Sequence, residues 1–289
     1  MSGLRERRRD VGAALFADEI GIEFGIYGEY RLKSAYQPIF APRDGHLAPV
    51  GVEALVQPQR NGLPVPAEVF FERVPAADRL FVETLCRMLH LSNYRNIGVA
   101  GLDLFFNYDP LINDDAGRAL AEIRLMARHL GDLDLDAGML VCEITEKAAF
   151  DDRLLARLVR EMRRNGLRVA VDDFGAGHST EQRLRLVRPD IIKIDGGWFA
   201  QLCRHPAAAR LFSPLLALLH ESGAKVLVEG VEEPSQLMLA LESGADLLQG
   251  FLLGRPALAG TLFRQEPVSI EGLLADGRKI VPLFGRPAG

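Results

Sequence analysis

The chain has 289 residues, 48% of them hydrophobic, enough to bury one large core, and α/β barrels commonly run to about 250 residues as a single domain. Its 34 basic against 39 acidic residues give a formal charge of −5, which argues against long-range attraction to DNA or to an anionic membrane. No apolar run reaches the roughly 18 residues of a membrane span, no signal-peptide pattern stands at the N-terminus, and Cys86, Cys142 and Cys203 lack metal-ligand spacing, so the expectation is a cytoplasmic protein with reduced core thiols and no membrane span.

Residues 1–31 read as an accessory segment, basic from Arg5 to Arg9, with a helix-like piece around 11–20 and then glycines interleaved with aromatics. From residue 32 onward, short apolar strand-like runs alternate with amphipathic helical stretches, the signature of parallel βα units. Strands are expected at 35–40, 50–56, 102–107, 139–144, 168–173, 191–194, 225–229 and 247–249. Helices are expected near 79–94, 115–130, 149–165, 181–187, 207–222 and 233–243. Eight strands in this alternation fit a closed barrel better than a doubly wound sheet, which would carry G-x-G-x-x-G after its first strand. Arg43-Asp44-Gly45 is a two-strand turn signal that would join the first two strands as an antiparallel hairpin and make the barrel a modified one. The barrel domain is placed at 32–260. The remainder, 261–289, is a tail with one short helical piece near 270–275.

The stretch Val171-Asp172-Asp173-Phe174-Gly175-Ala176-Gly177 carries the most chemical information, because two adjacent carboxylates end an apolar strand and a glycine-rich loop follows. Neighbouring acids repel unless cations sit between them. One Asp bridging two metal ions, with a second Asp on one of them, is what a two-metal phosphoryl-transfer site needs; the same pair also serves as an ordinary helix cap or turn. In a parallel barrel the C-terminal strand ends converge on one mouth. Those ends carry Glu53, Asn107, Glu143, Asp172 with Asp173, Lys193, Glu229 and Gln249. Carboxylates with an Asn carbonyl suit Mg²⁺ or Mn²⁺ and are poor for zinc, and none of the six His stands at a strand end. Each residue alone has a structural explanation, but burying so many acids together without cations is costly.

With these motifs in place the chain resembles the EAL-domain phosphodiesterases, which hydrolyse the bacterial second messenger cyclic di-GMP. The resemblance covers about residues 32–257 and rests on Tyr36-Gln37-Pro38-Ile39, Glu53-Ala54-Leu55, Phe106-Asn107, Glu143-Ile144-Thr145-Glu146, Asp172-Asp173-Phe174-Gly175-Ala176-Gly177, Lys193-Ile194-Asp195, Glu229-Gly230-Val231-Glu232 and Gln249-Gly250-Phe251. It implies an α/β fold, a modified (β/α)8 TIM-type barrel with one antiparallel strand, with two Mg²⁺ or Mn²⁺ ions at its mouth. By resemblance, Glu53, Asn107, Glu143 and Asp172 hold the first metal, and Asp172 bridges to a second held with Asp173. Glu229 serves the second metal or its water, Lys193 positions the attacking water, and Gln249 orients it. Gln37 and Leu55 look like substrate contacts. Glu146 would brace the loop from Phe174 to Thr180, which in this family is thought to couple activity to dimerisation, so a homodimer is implied; regulation is expected through the N-terminal segment, the tail, a regulatory protein partner or expression level. The implied product is linear pGpG.

The chain departs from the family pattern at Gln57, where an Arg expected to pair with a substrate phosphate usually stands; Gln offers a hydrogen bond but no charge. Two further departures are His178 in place of Tyr and Glu181 in place of an apolar residue. The pair Gly196-Gly197 replaces bulkier residues, which implies a looser mouth loop. The alternatives to an active enzyme are a catalytically weak or inactive domain acting as a cyclic di-GMP receptor or protein-interaction regulator, and a barrel enzyme for another phosphodiester such as pGpG. The segment before residue 32 is too short for a cyclase, sensor or receiver domain.

Overall fold

The computed structural model describes residues 10–97, 101–109, 116–133, 135–145, 152–176 and 181–275. Arg5 to Arg9, Glu146 and His178 lie outside the described residues, as does the end of the loop that begins at Phe174.

Eight strands close the barrel: β1 (Tyr30–Arg43), β2 (His46–Arg60), β3 (Asp103–Tyr108), β4 (Leu140–Thr145), β5 (Arg168–Phe174), β6 (Ile191–Ile194), β7 (Lys225–Val228) and β8 (Leu247–Leu248). Around the barrel the order is β1-β8-β7-β6-β5-β4-β3-β2, and β2 returns to β1. Every neighbouring pair is parallel except the two that include β1, which runs antiparallel to β2 and to β8. The eight expected strands are these eight, and the hairpin expected at Arg43-Asp44-Gly45 joins β1 to β2. Asp44 and Gly45 sit at φ 47° and 75°, the left-handed pair that a two-residue turn needs to follow the right-handed twist of its strands.

Both hairpin strands are longer than their apolar runs suggested, 14 and 15 residues, so the hairpin rises beyond the barrel mouth. There it packs against helices α1 (Ala67–Arg73) and α2 (Ala76–Tyr94) through Tyr30, Leu32, Phe70, Val82, Leu85 and Leu89. Helices α3 (Ala116–Asp132), α4 (Asp152–Arg164), α5 (Glu181–Val187), α6 (Gly196–Cys203), α7 (Pro206–Ala209), α8 (Phe212–His220) and α9 (Pro234–Glu242) follow in order. The helix expected at 207–222 is therefore two, α7 and α8, and α1 and α6 were not anticipated from periodicity.

The piece around 11–20 is helical only in a single 3-10 turn at Gly12–Ala14. Leu15–Ala17 pairs antiparallel with a strand at Glu23–Tyr27, which itself pairs with β1. The cause is local: Asp18 Oδ1 accepts hydrogen bonds from the backbone N–H of Ile20 and Ile22, and Gly21 takes φ 82°. That turn reverses the chain and offers it the free edge of β1.

Alternate residues of each strand point into the barrel or out to the helices. The outward set packs under the helices in one large core that includes Val52, Leu104, Phe106, Cys142, Val169, Ile192 and Val226. The inward set forms an apolar plug of Ile39, Phe105, Val141, Ala170, Ile191, Leu227 and Leu247. Phe105 is its largest member and is fully enclosed. Phe105→Ala is expected to lower unfolding stability by about 3–5 kcal/mol, measured by denaturant titration; a change below about 1 kcal/mol would mean the plug is not close-packed.

Candidate active site

The functional layer follows from the plug by a single step. Two residues beyond Phe105, Val141, Ala170, Ile191, Leu227 and Leu247 on each parallel strand stand Asn107, Glu143, Asp172, Lys193, Glu229 and Gln249. On the antiparallel β1, Gln37 is two residues from Ile39 in the opposite chain direction, and it pairs across the ladder with Glu53 of β2. A strand period of two thus stacks a polar ring directly on an apolar one.

The ring closes on one cation. Lys193 Nζ lies 2.6 Å from Glu143 Oε1, 2.8 Å from Glu229 Oε1, 3.1 Å from Asp172 Oδ1 and 3.7 Å from Glu53 Oε1. Gln249 Nε2 donates to the other oxygen of Glu53 at 2.8 Å, and Gln37 Nε2 donates to the Gly254 carbonyl at 3.1 Å. Glu143 and Lys193 are 0% and 1% exposed. Burial pushes the Glu143 carboxyl well above the carboxylate range, opposed by Lys193 and reinforced by Glu53 and Asp172. Glu229 is raised for the same reasons, burial first. For Lys193, burial favours the neutral amine, but the four carboxylates together outweigh it and hold the ammonium charged.

This ring has too little positive charge for its acids. Glu143 Oε2 is buried without a hydrogen-bond partner, an acceptor left open to a cation. Among the described residues no three acidic or imidazole side chains form a ready-made metal cage, because the carboxylates close on the lysine instead. The donor chemistry nevertheless fits hard divalent ions: oxygen ligands from Glu53, Glu143, Asp172 and Glu229, with further oxygens nearby from Asn107 and Asp173.

Asp172 and Asp173 divide their tasks through a backbone irregularity. The β5–β6 register shifts between Val171 and Phe174, and Asp173 adopts φ 59°, uncommon for a residue with a Cβ. Asp172 faces inward to Lys193 by the regular alternation from Ala170, and the irregularity that follows leaves Asp173 at the exposed rim.

A cavity of about 490 Å³ opens over the ring, lined by Gln37, Glu53, Leu55, Asp172, Lys193 and Glu229, together with Gln249 and Phe251. Asn107 is the register partner of Glu143, yet it is exposed and faces an adjoining crevice of about 690 Å³ under α1 and α2, which Leu55 also lines. Gln57 stands farther out on the hairpin, opposite Lys33, and lines neither cavity.

Sequence reasoning missed several contributors. Asp195 and Glu232 line the cavity; Asp195 also caps α6, its Oδ1 accepting from Trp198 N–H at 2.7 Å. Arg255 stacks on Phe251, 4.2 Å from the ring centroid. The looser loop expected at Gly196-Gly197 is not found: these glycines form the first turn of α6. A Cβ on Gly196 would stand 2.9 Å from Gly230 Cα, so the missing side chain lets the loops after β6 and β7 pack backbone to backbone. The glycines of Glu229-Gly230 and Gln249-Gly250 carried that signal; a Cβ on Gly250 would lie 2.1 Å from the Val231 carbonyl oxygen.

The EAL domain family model matches residues 28–256. The chain is 29% identical over 240 residues to the bifunctional diguanylate cyclase/cyclic di-GMP phosphodiesterase MucR of Pseudomonas aeruginosa, a match covering 78% of this chain and 33% of MucR. It is 31% identical over 245 residues to the cyclic di-GMP phosphodiesterase RocR of the same organism, covering 82% of this chain and 59% of RocR. It thus spans less than two thirds of either relative. Among solved structures, the Bacillus subtilis YkuI protein, with an EAL domain and in complex with substrate c-di-GMP and calcium, superposes at TM-score 0.66 and 25% identity over 78% of this chain and 55% of that one.

Removing the central ammonium exposes the charge imbalance directly. In chelator at about pH 7.5, Lys193→Met is expected to lower stability by about 3–5 kcal/mol, since carboxylates are left without their counter-ion. Raised acids in the folded state bind more protons than the unfolded chain does, so stability falls as pH rises through their pKa values and part of the loss returns at about pH 5.5. Thermal unfolding at both pH values measures this; a deficit independent of pH would contradict it.

Proposed function

The chain belongs to the EAL domain family, and from that premise we propose that it is a divalent-metal-dependent phosphodiesterase that opens cyclic di-GMP to linear pGpG at this mouth. The observation that carries the reading is the buried ring in which four carboxylates from four strands converge on Lys193. Two Mg²⁺ or Mn²⁺ ions, when bound, would neutralise phosphoryl oxygens and lower the pKa of a water. Glu53, Glu143 and Asp172 would hold one ion, joined by Asn107 once its side chain turns in from the adjoining crevice, with Asp172 and Asp173 serving the other and Glu229 beside it.

The chain's own residues do the positioning. Gln249 fixes one Glu53 oxygen through its amide N–H, which leaves the other oriented toward the ring. Lys193, held charged by its neighbours, would place positive charge close to the nucleophilic water and so favour its deprotonated form. Gln37 and Leu55 bound the cavity where the dinucleotide would lie. The complex of YkuI with c-di-GMP and calcium supports the substrate class and a role for divalent ions.

A second reading, a receptor that binds cyclic di-GMP without turning it over, is favoured by the neutral Gln57. Turnover of cyclic and linear substrates by wild type and Glu53→Ala separates the readings. Under the enzyme reading Glu53→Ala keeps its fold by circular dichroism and loses more than the roughly 10- to 100-fold typical of removing a group behind a ligand. Tight binding by wild type with no product would favour the receptor, and full activity in the variant would remove Glu53 from the machinery.

A further inference from the structure

The mouth is short of positive charge for a dinucleotide with two phosphates. Of the side chains lining its cavity, Glu53, Asp172, Asp195, Glu229 and Glu232 are acidic and Lys193 alone is basic. That lysine is already enclosed by carboxylates. Divalent ions in the ring would answer the phosphate being cleaved. The second phosphate of a cyclic dinucleotide lies across its ring from the first and needs a donor of its own.

We propose that Lys33 is that donor, a substrate-binding residue for the phosphate that is not cleaved; this rests on the reading of the protein as a cyclic di-GMP phosphodiesterase. Successive residues of β1 face opposite sides. Ser34 and Tyr36 face α2: Ser34 Oγ is 2.8 Å from His90 Nδ1, and the Tyr36 hydroxyl donates to the His90 carbonyl at 2.6 Å. Leu32 is buried on that same side with Leu85 and Leu89. Lys33 and Gln37 therefore share the other side; Gln37 lines the cavity, while Lys33, like Gln57, stands outside its lining, farther out along the same face.

The hairpin register fixes how far out Lys33 stands. Gln37 pairs with Glu53, Ala35 with Leu55 and Lys33 with Gln57. Four residues at about 3.4 Å each set the Lys33 backbone roughly 14 Å beyond the level of Glu53, and its side chain spans only part of that distance. Its ammonium thus belongs to the distal half of a bound dinucleotide and not to the metal layer, with the Gln57 amide alongside as a neutral donor.

Two neighbouring arginines on the outer mouth are engaged. The Arg31 guanidinium lies 3.5 Å from the centroid of the Phe24 ring, and Arg255 lies over Phe251. Lys33 is partly exposed and makes no ion pair or side-chain hydrogen bond among the described residues.

The test compares steady-state kinetics of wild type, Lys33→Gln and Lys33→Arg on cyclic di-GMP and on bis(p-nitrophenyl) phosphate, a diester with a single phosphate. Lys33→Gln is expected to raise KM for cyclic di-GMP by about 10-fold or more with kcat unchanged, the loss of one charge-assisted contact. It leaves kcat/KM for the small diester as in wild type, and Lys33→Arg restores KM. An unchanged KM for cyclic di-GMP would overturn the role of Lys33 while leaving the enzyme standing. Equal losses on both substrates would also overturn it, marking a general disturbance of the hairpin. A wild-type protein that neither binds nor cleaves cyclic di-GMP would fell the underlying reading and this one together.

Discussion

The architecture of the mouth depends on keeping a group of carboxylates together out of water. Coulomb repulsion between desolvated acids grows as the dielectric falls, so Glu53, Glu143, Asp172 and Glu229 can share one layer only if positive charge sits among them. Lys193 provides one such charge, at 2.6 Å from Glu143 and 2.8 Å from Glu229. Its position is over-determined: it rises from β6, flanked by β5 and β7, above the apolar plug residue Ile191. The remaining acidity, together with the orphaned Glu143 oxygen, gives the site donor chemistry that suits further hard cations.

The barrel supplies the rest of the geometry at little conformational cost. An apolar ring below the polar one fills the interior, so the polar ring is placed by core packing on the strands. Where the chain must depart from the regular alternation it does so locally. The irregularity after Asp172 leaves Asp173 at the rim, and the Gly196–Gly230 contact draws two mouth loops together. The long β1–β2 hairpin extends the wall on one side, beyond the level of the ring, and carries Leu55, Gln57 and Lys33 outward in paired steps.

Much of this was legible in the sequence because the barrel converts distance along the chain into proximity by a simple rule. Once the eight apolar runs are identified, their C-terminal ends name Glu53, Glu143, Asp172, Lys193, Glu229 and Gln249, and the structure gathers those six. What could not be read depends on register or on short-range competition. The Leu15–Ala17 strand looked helical because three residues carry almost no periodic signal and an Asp18 turn decides their fate. Helix α6 opens with two glycines, poor helix formers that packing against Gly230 and the Asp195 cap override. The pairing of Lys33 with Gln57 follows only from the hairpin register. That Asn107, though beside Glu143, is turned to the neighbouring crevice is a side-chain orientation that no spacing rule encodes.

The measurement that bears most directly on a ring built to gather cations is a count of Mn²⁺ bound per chain, by electron paramagnetic resonance of free ion during a titration. The account predicts about two ions per chain, released by chelator and lost in Asp172→Ala. No binding at millimolar Mn²⁺, or binding untouched by that substitution, would contradict it.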